Sequence, residues 1–143
     1  MPKSRIVGID FGLVRMGIAL SDERHLIAFP LKMVHTAKTL PATATLLAEE
    51  LASHMPLHSL VIGLPLHLNG KESDMSLKVR ALAQLLKSLL NIEIILWDER
   101  LSSAAVQRTF KEANISRKQQ KNLIDKSVAA AILQNYLNSK TIS

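Results

Sequence analysis

The spacing of short apolar runs restricts the fold of this chain more than any other feature. Three runs rich in β-branched residues follow one another with brief connections, over residues 5–11, 16–20 and 26–34. Runs of this kind, separated by turn residues such as Gly12, predict three strands in an antiparallel meander. Pro30 marks the third strand as an edge strand or as the site of a bulge, because proline cannot donate to a sheet.

Beyond the third run, the apolar spacing alternates between the helical period and the strand period. Strands are predicted over residues 58–63 and 92–97, and helices over about 41–54, 74–90, 102–113 and 117–137. Asp74 is a candidate cap for the second helix. The order β-β-β-α-β-α-β-α-α predicts an α/β fold, in which helices flank a mixed five-stranded sheet with an antiparallel edge.

The length and composition predict one cytoplasmic domain. The chain has 143 residues, without a linker or an internal repeat, so residues 1–143 are expected to fold as one unit. It has no cysteine, which excludes disulfides and thiolate metal sites and favours a reducing compartment. The N-terminus lacks the apolar core of a signal peptide, and no apolar run approaches the length of a membrane span, so no membrane partner is expected.

The charge balance favours a polyanionic partner. Lys and Arg number 18 against 12 Asp and Glu, which gives a formal charge of +6. Such an excess promotes nucleic-acid binding through counterion release, although it also serves simply to keep a protein in solution. The chain has only three Phe, one Trp and one Tyr, so recognition is expected to use phosphates and shape rather than a platform of stacked aromatics.

Asp10 is the first candidate for a chemical role. It lies inside an apolar strand and shares a face with Gly8, because side chains alternate along a strand. A carboxylate in such a place loses hydration, and a cation, a group of amides or a raised pKa must compensate. The alternative is that Asp10 only caps the turn at Gly12 through its side chain.

The second candidate is the segment Asp98-Glu99-Arg100, which directly follows the strand predicted over residues 92–97. Acids at the carboxyl end of a central strand lie where ligands bind in open α/β sheets. The alternative is a capping cluster for the next helix, with Arg100 pairing locally. Adjacent residues at a strand end point in opposite directions, so the sequence leaves open which of the two acids faces a ligand.

Asp125 is the third candidate, on the last predicted helix. At 100° per residue it projects near the middle of an apolar arc, and a lone acid there is costly unless it is paired. The alternative is a salt bridge to Lys118 or Lys121. The arc consists of Ile124, Val128, Ala129, Ile132 and Tyr136.

A divalent metal would explain all three acids. Carboxylate oxygens are hard ligands that suit Mg²⁺, and Mn²⁺ shares them. Two such ions about 3.5 to 4 Å apart could stabilise both the attacking and the leaving oxygen of a phosphodiester. The acids would then supply charge and geometry rather than proton transfer.

Four segments resemble the signature blocks of the YqgF/RuvX family, in order and at the family's spacing. They are GIDFGLVRMGIALSD, VIGLPLHLNGKES, WDERLSS and IDKSVAAAILQNYL, and they span almost the whole chain. The family is linked to maturation of 16S ribosomal RNA, and its fold is similar to that of RNase H and of Holliday junction resolvases. The resemblance therefore implies an RNase H-like fold and a metal-dependent nuclease that acts on structured nucleic acid.

The substrate implied first is the 16S rRNA precursor, with ribosomal precursor particles as partners. An alternative is a Holliday junction resolvase that acts on DNA, and an alternative of another class is a non-catalytic nucleic-acid-binding factor in transcription or ribosome assembly. The resemblance leaves open whether the chain is a monomer or a homodimer.

The resemblance also implies the roles of the acids. Asp10 matches the first-strand metal ligand, Glu99 the acid of the DER block and Asp125 the helix acid, so these three are the expected catalytic ligands for Mg²⁺ or Mn²⁺. Asp98 competes with Glu99 for its role. Holliday junction resolvases often carry a fourth acid one helical turn from the last, and here Val128 and Asn122 occupy the neighbouring positions, which is a departure from the resolvase pattern.

Three cations lie in the same blocks, namely Arg15, Lys71 and Arg100. A basic side chain in a loop beside the acids could hold a phosphate without reading sequence, so all three are candidates for nucleic-acid binding. The alternative for Arg15 and Lys71 is a solvated surface cation.

Overall fold

Five strands form one mixed sheet in the computed structural model, which describes residues 4–101 and 127–141. The sheet order is β3-β2-β1-β4-β5; β2 is antiparallel to both of its neighbours, and β1, β4 and β5 are parallel. The predicted meander and mixed sheet are confirmed, with strand ends that differ from the predicted ones by at most two residues. The strands are β1 (Arg5–Asp10), β2 (Arg15–Ser21), β3 (Ala28–His35), β4 (Leu57–Leu64) and β5 (Glu93–Asp98).

Three α-helices are described. They are α1 (Leu40–Leu51), α2 (Asp74–Leu90) and α3 (Val128–Thr141), and short 3₁₀ turns follow α1 at Ala52–His54 and β5 at Glu99–Leu101. The helix predicted over residues 102–113 and the first half of the one predicted over 117–137 lie outside the described residues. None of the described helices is long and apolar enough to cross a membrane.

The cap of α2 is Ser73, and the expectation that Asp74 caps this helix is wrong. The Ser73 hydroxyl accepts a hydrogen bond from the Ser76 amide (3.0 Å), and the Ser76 hydroxyl accepts one from the Ser73 amide (2.7 Å). These reciprocal bonds satisfy two amides, whereas Asp74 lies in the first turn, where its charge complements the helix dipole. The Ser73 hydroxyl also donates to the Pro65 carbonyl (2.6 Å), which ties the start of α2 to the loop after β4.

The bulge expected near Pro30 is present. In the pairing of β2 with β3, Ile18 lies opposite Lys32 and Ala19 opposite Pro30, so Leu31 is the extra residue on β3. The strand is also an edge strand, where a residue without an amide hydrogen is tolerated.

The sheet separates two hydrophobic cores. Helices α1 and α2 cover one face and α3 covers the other, so alternate residues of each strand enter different cores. The α1/α2 core includes Val7, Ile9, Leu47, Leu60, Ile62, Leu82 and Leu86. The α3 core includes Ile6, Val61, Ala129, Ile132, Leu133 and Leu137.

Two glycines let α3 lie close to the sheet. A Cβ atom on Gly8 would come within 2.8 Å of the Leu133 Cβ and 3.1 Å of the Ala129 carbonyl oxygen. On Gly17, a Cβ atom would lie 3.3 Å from the Ala129 Cβ. Because neither strand presents a side chain at these points, α3 crosses β1 and β2 in direct contact, on the face that also carries Asp10.

Candidate active site

Three parallel strands end at one edge of the sheet, and the candidate acids Asp10, Asp98 and Glu99 lie there. Ile9 of β1 pairs with Ile62 of β4, so Asp10, the next residue on β1, lies beside Gly63 of β4. Gly63 also pairs with Trp97 of β5 on its other side. Asp10 is the last residue of β1, and Glu99 follows the end of β5. The connections that leave this edge are residues 11–14, residues 65–73 and the turn Glu99–Leu101.

Glu99 folds back over Gly63. A Cβ atom on Gly63 would lie 2.6 Å from Glu99 Oε1 and equally close to Ile132 Cδ1 of α3. The side chain of Glu99 is buried, with 7% of its surface exposed. The missing side chain of Gly63 thus provides the space that the carboxylate occupies beneath α3.

Asp10 lies on the same face of the sheet. Its Cβ atom would be 3.8 Å from a Cβ atom on Gly17, a residue that faces α3, and Asp10 itself is half-buried. Neighbouring strands are separated by about 4.8 Å. Asp10 is on β1, and the Glu99 carboxylate lies over the neighbouring strand β4, so the two acids are on one side of the sheet and at the same edge.

Asp98 lies on the opposite face from Glu99. It pairs with Leu64, whose side chain is buried in the α1/α2 core, and it continues the alternation of Leu96 on that face. Trp97 packs against the α3 core instead. Of the two adjacent acids that the sequence left open, the structure thus brings Glu99, and not Asp98, to the face of Asp10.

Asp98 is engaged with Arg100. The guanidinium donates from Nη2 to Oδ2 (2.7 Å) and from Nε to Oδ1 (3.0 Å), and the Arg100 amide donates to Oδ1 (2.9 Å). The hydrogen bonds from the Arg100 side chain contribute most to holding the pKa of Asp98 below its ordinary value. Burial opposes them, and the bond from the Arg100 amide adds to them. Arg100 Nη1 also donates to the Leu68 carbonyl (3.1 Å), so Arg100 joins the end of β5 to the loop after β4.

Arg15, at the start of β2, and Lys71, in the loop after β4, are exposed at the same edge. Arg15 begins β2, and the loop before it is fixed by Thr36, whose amide donates to the Val14 carbonyl (3.0 Å) and whose hydroxyl donates to the Gly12 carbonyl (2.6 Å). A Cβ atom on Gly12 would collide with the Arg15 carbonyl, which makes glycine necessary in this tight loop.

Asp125 lies outside the described residues. Within residues 4–101 and 127–141, no group of three His, Cys, Asp or Glu side chains is close enough to hold a metal ion. Val128, in the neighbourhood of the fourth acid of resolvases, is buried at the start of α3. The acids that the described part of the chain brings to this face are Asp10 and Glu99.

Sequence reasoning missed Gly63. The signal was a glycine near the end of the apolar run LVIG, because glycine inside a strand often marks a close approach of another group. The sequence could not show that this group is the side chain of Glu99, which is 36 positions away along the chain.

The sheet order, the helices on both faces and the acids at the carboxyl edge of the parallel strands define an RNase H-like fold. The structure is similar to that of RuvC from Thermus thermophilus in complex with a Holliday junction substrate, with a TM-score of 0.54 and 13% identity over 96% of each chain. A second structure of Thermus thermophilus RuvC gives a TM-score of 0.52, with 9% identity over 96% of each chain. At these identities the likeness shows the fold alone.

The chain belongs to the RuvX family, whose model, described as Holliday junction resolvase, matches residues 4–139. It is 42% identical over 142 residues to a protein of Protochlamydia amoebophila. This match covers 96% of this chain and 95% of the relative. A protein of Endomicrobium trichonymphae is 40% identical over 136 residues, covering 94% and 96%. Both relatives are named "Putative pre-16S rRNA nuclease". The family expected from the four sequence blocks is confirmed, and it is a family of nucleases.

Proposed function

We propose that this chain is a metal-dependent nuclease that hydrolyses phosphodiester bonds in the 16S rRNA precursor, in the cytoplasm. The observation that carries the proposal is the position of Asp10 and Glu99 on one face of the sheet, at the carboxyl edge of the parallel strands. The choice of substrate rests on the names of the relatives that cover nearly all of the chain.

The two acids fit Mg²⁺ or Mn²⁺. Both offer hard carboxylate oxygens, and a divalent ion beside the buried Glu99 would offset the cost of keeping its charge away from water. Asp125 is the proposed third ligand, on the basis of its match to the family's helix acid. When bound, one or two such ions supply Lewis-acid stabilisation of the charge that develops on the phosphodiester oxygens.

The residues of the chain fix the geometry of this site. Asp10 is held by the pairing of β1 with its two neighbours, and Glu99 is held between Gly63 and α3. Helix α3 covers the Glu99 side chain and keeps water away from that side of the carboxylate. Arg15 and Lys71, exposed at the same edge, are proposed to contact phosphates of the substrate backbone.

A second candidate function is resolution of four-way DNA junctions, which the description of the family favours. It uses the same acids, so the two candidates differ in substrate rather than in chemistry. We place it second because Val128, in the neighbourhood of the fourth resolvase acid, is an apolar residue buried in the α3 core.

The test is cleavage of precursor 16S RNA and of a four-way DNA junction, side by side, with Mg²⁺, Mn²⁺ or EDTA. Metal-dependent cutting of the RNA that is lost in Asp10→Asn is the expected result. Cutting of the junction alone would move the assignment to recombination. Binding of both substrates without cleavage would show that the chain is a nucleic-acid-binding factor and that the proposed active site is wrong.

A further inference from the structure

Leu68 is the most exposed large apolar side chain in the described part of the chain, with 93% of its surface exposed. It lies on a well-defined turn: the His67 amide donates to the Lys71 carbonyl (2.9 Å), and the Gly70 amide donates to the His67 carbonyl (2.8 Å). The Asn69 side chain accepts from the Lys71 amide (3.0 Å). The turn therefore presents Leu68 to solvent in a fixed position.

The turn is attached to the candidate active site. Arg100 donates to the Leu68 carbonyl (3.1 Å) while the same guanidinium holds Asp98. Gly70 makes room for this contact, since a Cβ atom there would lie 3.3 Å from Arg100 Nη1, and its φ of +86° favours glycine. Because Arg100 is the next residue after Glu99, the position of Leu68 is tied to the position of the buried acid.

The other two connections at this edge also expose apolar side chains. Leu13 and Val14 follow β1 with 61% and 68% of their surfaces exposed, and Leu101 follows Glu99 with 67% exposed. A single exposed leucine needs no explanation. Here, however, each of the three connections beside the acids carries at least one, and we call Leu13, Val14, Leu68 and Leu101 the apolar rim.

The chemistry of the surroundings favours a nucleic-acid base as the group that covers the rim. Arg15 and Lys71 are exposed beside the rim, where their side chains can bind phosphates, and the formal charge of +6 on the whole chain favours a polyanion as the partner. The apolar parts of a nucleic acid are the faces of its bases. In a continuous duplex these faces are stacked on one another, and an apolar side chain reaches them only where a base is unstacked.

We propose that Leu68 packs against the face of an unstacked base next to the phosphodiester at Asp10 and Glu99. This inference rests on the proposed function and narrows its substrate class to nucleic acid with an unpaired or terminal nucleotide at the cleavage point, as opposed to a continuous duplex. The rim would supply with aliphatic side chains the base contacts that other proteins make with aromatic ones.

The test measures binding to two RNAs, in EDTA so that no cleavage occurs. One is a hairpin with an unpaired 2-aminopurine at the end of its stem, and the other is a continuous duplex of the same length. The variants are Leu68→Ala and, as a matched control, Leu89→Ala, which alters another exposed leucine on α2. We expect Leu68→Ala to bind the hairpin about tenfold more weakly and to lose most of the rise in 2-aminopurine fluorescence, with unchanged affinity for the duplex.

Leu68→Phe should restore the affinity for the hairpin, because an aromatic face also packs on the base, and Leu89→Ala should behave as the wild type. The proposal is overturned if Leu68→Ala matches the wild type on the hairpin, if it loses affinity equally for both RNAs, or if the wild type binds neither. These binding measurements do not depend on whether the chain is a nuclease. A Leu68-dependent signal in a protein that cuts nothing would contradict only the nuclease, whereas normal cleavage and binding by Leu68→Ala would contradict only the base contact.

Discussion

Replacing Gly63 by alanine should impair catalysis far more than it impairs folding. The new Cβ atom would lie 2.6 Å from both Glu99 Oε1 and Ile132 Cδ1. Ordinary contact between such atoms requires about 3.5 Å, so each must move by about 1 Å. Both are the outer ends of side chains, and they can shift while the backbone stays in place.

The loss of stability and the loss of cleavage rate should therefore differ in size, because only side-chain ends move but one of them is the Glu99 carboxylate. Inserting one methyl group into a packed interior costs about 1 to 3 kcal/mol of unfolding free energy, and we expect the lower end because only side-chain ends move. Misplacing a catalytic group by about 1 Å can reduce the rate on the order of 100-fold. The expected variant is therefore folded, slightly less stable and severely slowed in cleavage.

The assay pairs urea unfolding with single-turnover cleavage of precursor 16S RNA. Ile132→Val is the matched control, because it removes the Cδ1 atom and by itself costs about 0.5 to 1.5 kcal/mol. In the double variant part of the crowding is relieved, so the stability loss should be less than the sum of the two single losses. Cleavage should stay slow, because the Glu99 carboxylate is still displaced. Wild-type cleavage by Gly63→Ala would refute the reasoning.

Three further predictions follow from single contacts. Asp10→Asn should abolish cleavage yet keep the circular dichroism spectrum and the affinity for RNA; a changed spectrum would instead indicate that Asp10 serves the fold. Asp98→Asn should lower the unfolding free energy at neutral pH by about 0.2 to 1 kcal/mol, the usual range for an ion pair in contact with solvent, since both side chains of this pair are partly exposed. Since the pKa of Asp98 is lowered in the folded chain, this difference should begin to shrink as the pH falls below the ordinary value of 3.8 and vanish only below the lowered pKa. Urea unfolding checks the sign, since the difference should be smaller at about pH 3 than near pH 7. Gly8→Ala should destabilise the fold by about 1 to 3 kcal/mol, because α3 itself must move, and an unchanged urea midpoint would contradict the close packing described for this helix.

Local patterns were enough to predict the sheet. The strands are short runs of β-branched residues, and the period of a strand is visible within a few positions. The bulge at Pro30 could be anticipated because the missing amide hydrogen is a property of one residue. The apolar arc expected on the last helix is also confirmed where it is described, since Val128, Ala129, Ile132 and Tyr136 are all buried.

Features that depend on distant partners could not be predicted in this way. Whether Asp98 or Glu99 faces Asp10 depends on the register between β4 and β5 and on the turn at Glu99–Leu101. The N-terminal cap of α2 was not predicted, because its two serines bond to each other in a variant of the usual Ser-x-x-Glu pattern. The roles of Asp10, Glu99 and Asp125, those of the three cations, and the extent of the domain over residues 1–143 stay predictions.

The most direct test of the account compares Glu99→Gln with Asp98→Asn in the cleavage of precursor 16S RNA with Mg²⁺. The two acids are adjacent in sequence but lie on opposite faces of the sheet, so each variant is the control for the other. We expect Glu99→Gln to slow cleavage at least about 100-fold, the scale of losing one group that stabilises the transition state, while Asp98→Asn stays close to the wild-type rate. Loss of cleavage in Asp98→Asn with a normal rate in Glu99→Gln would contradict the account.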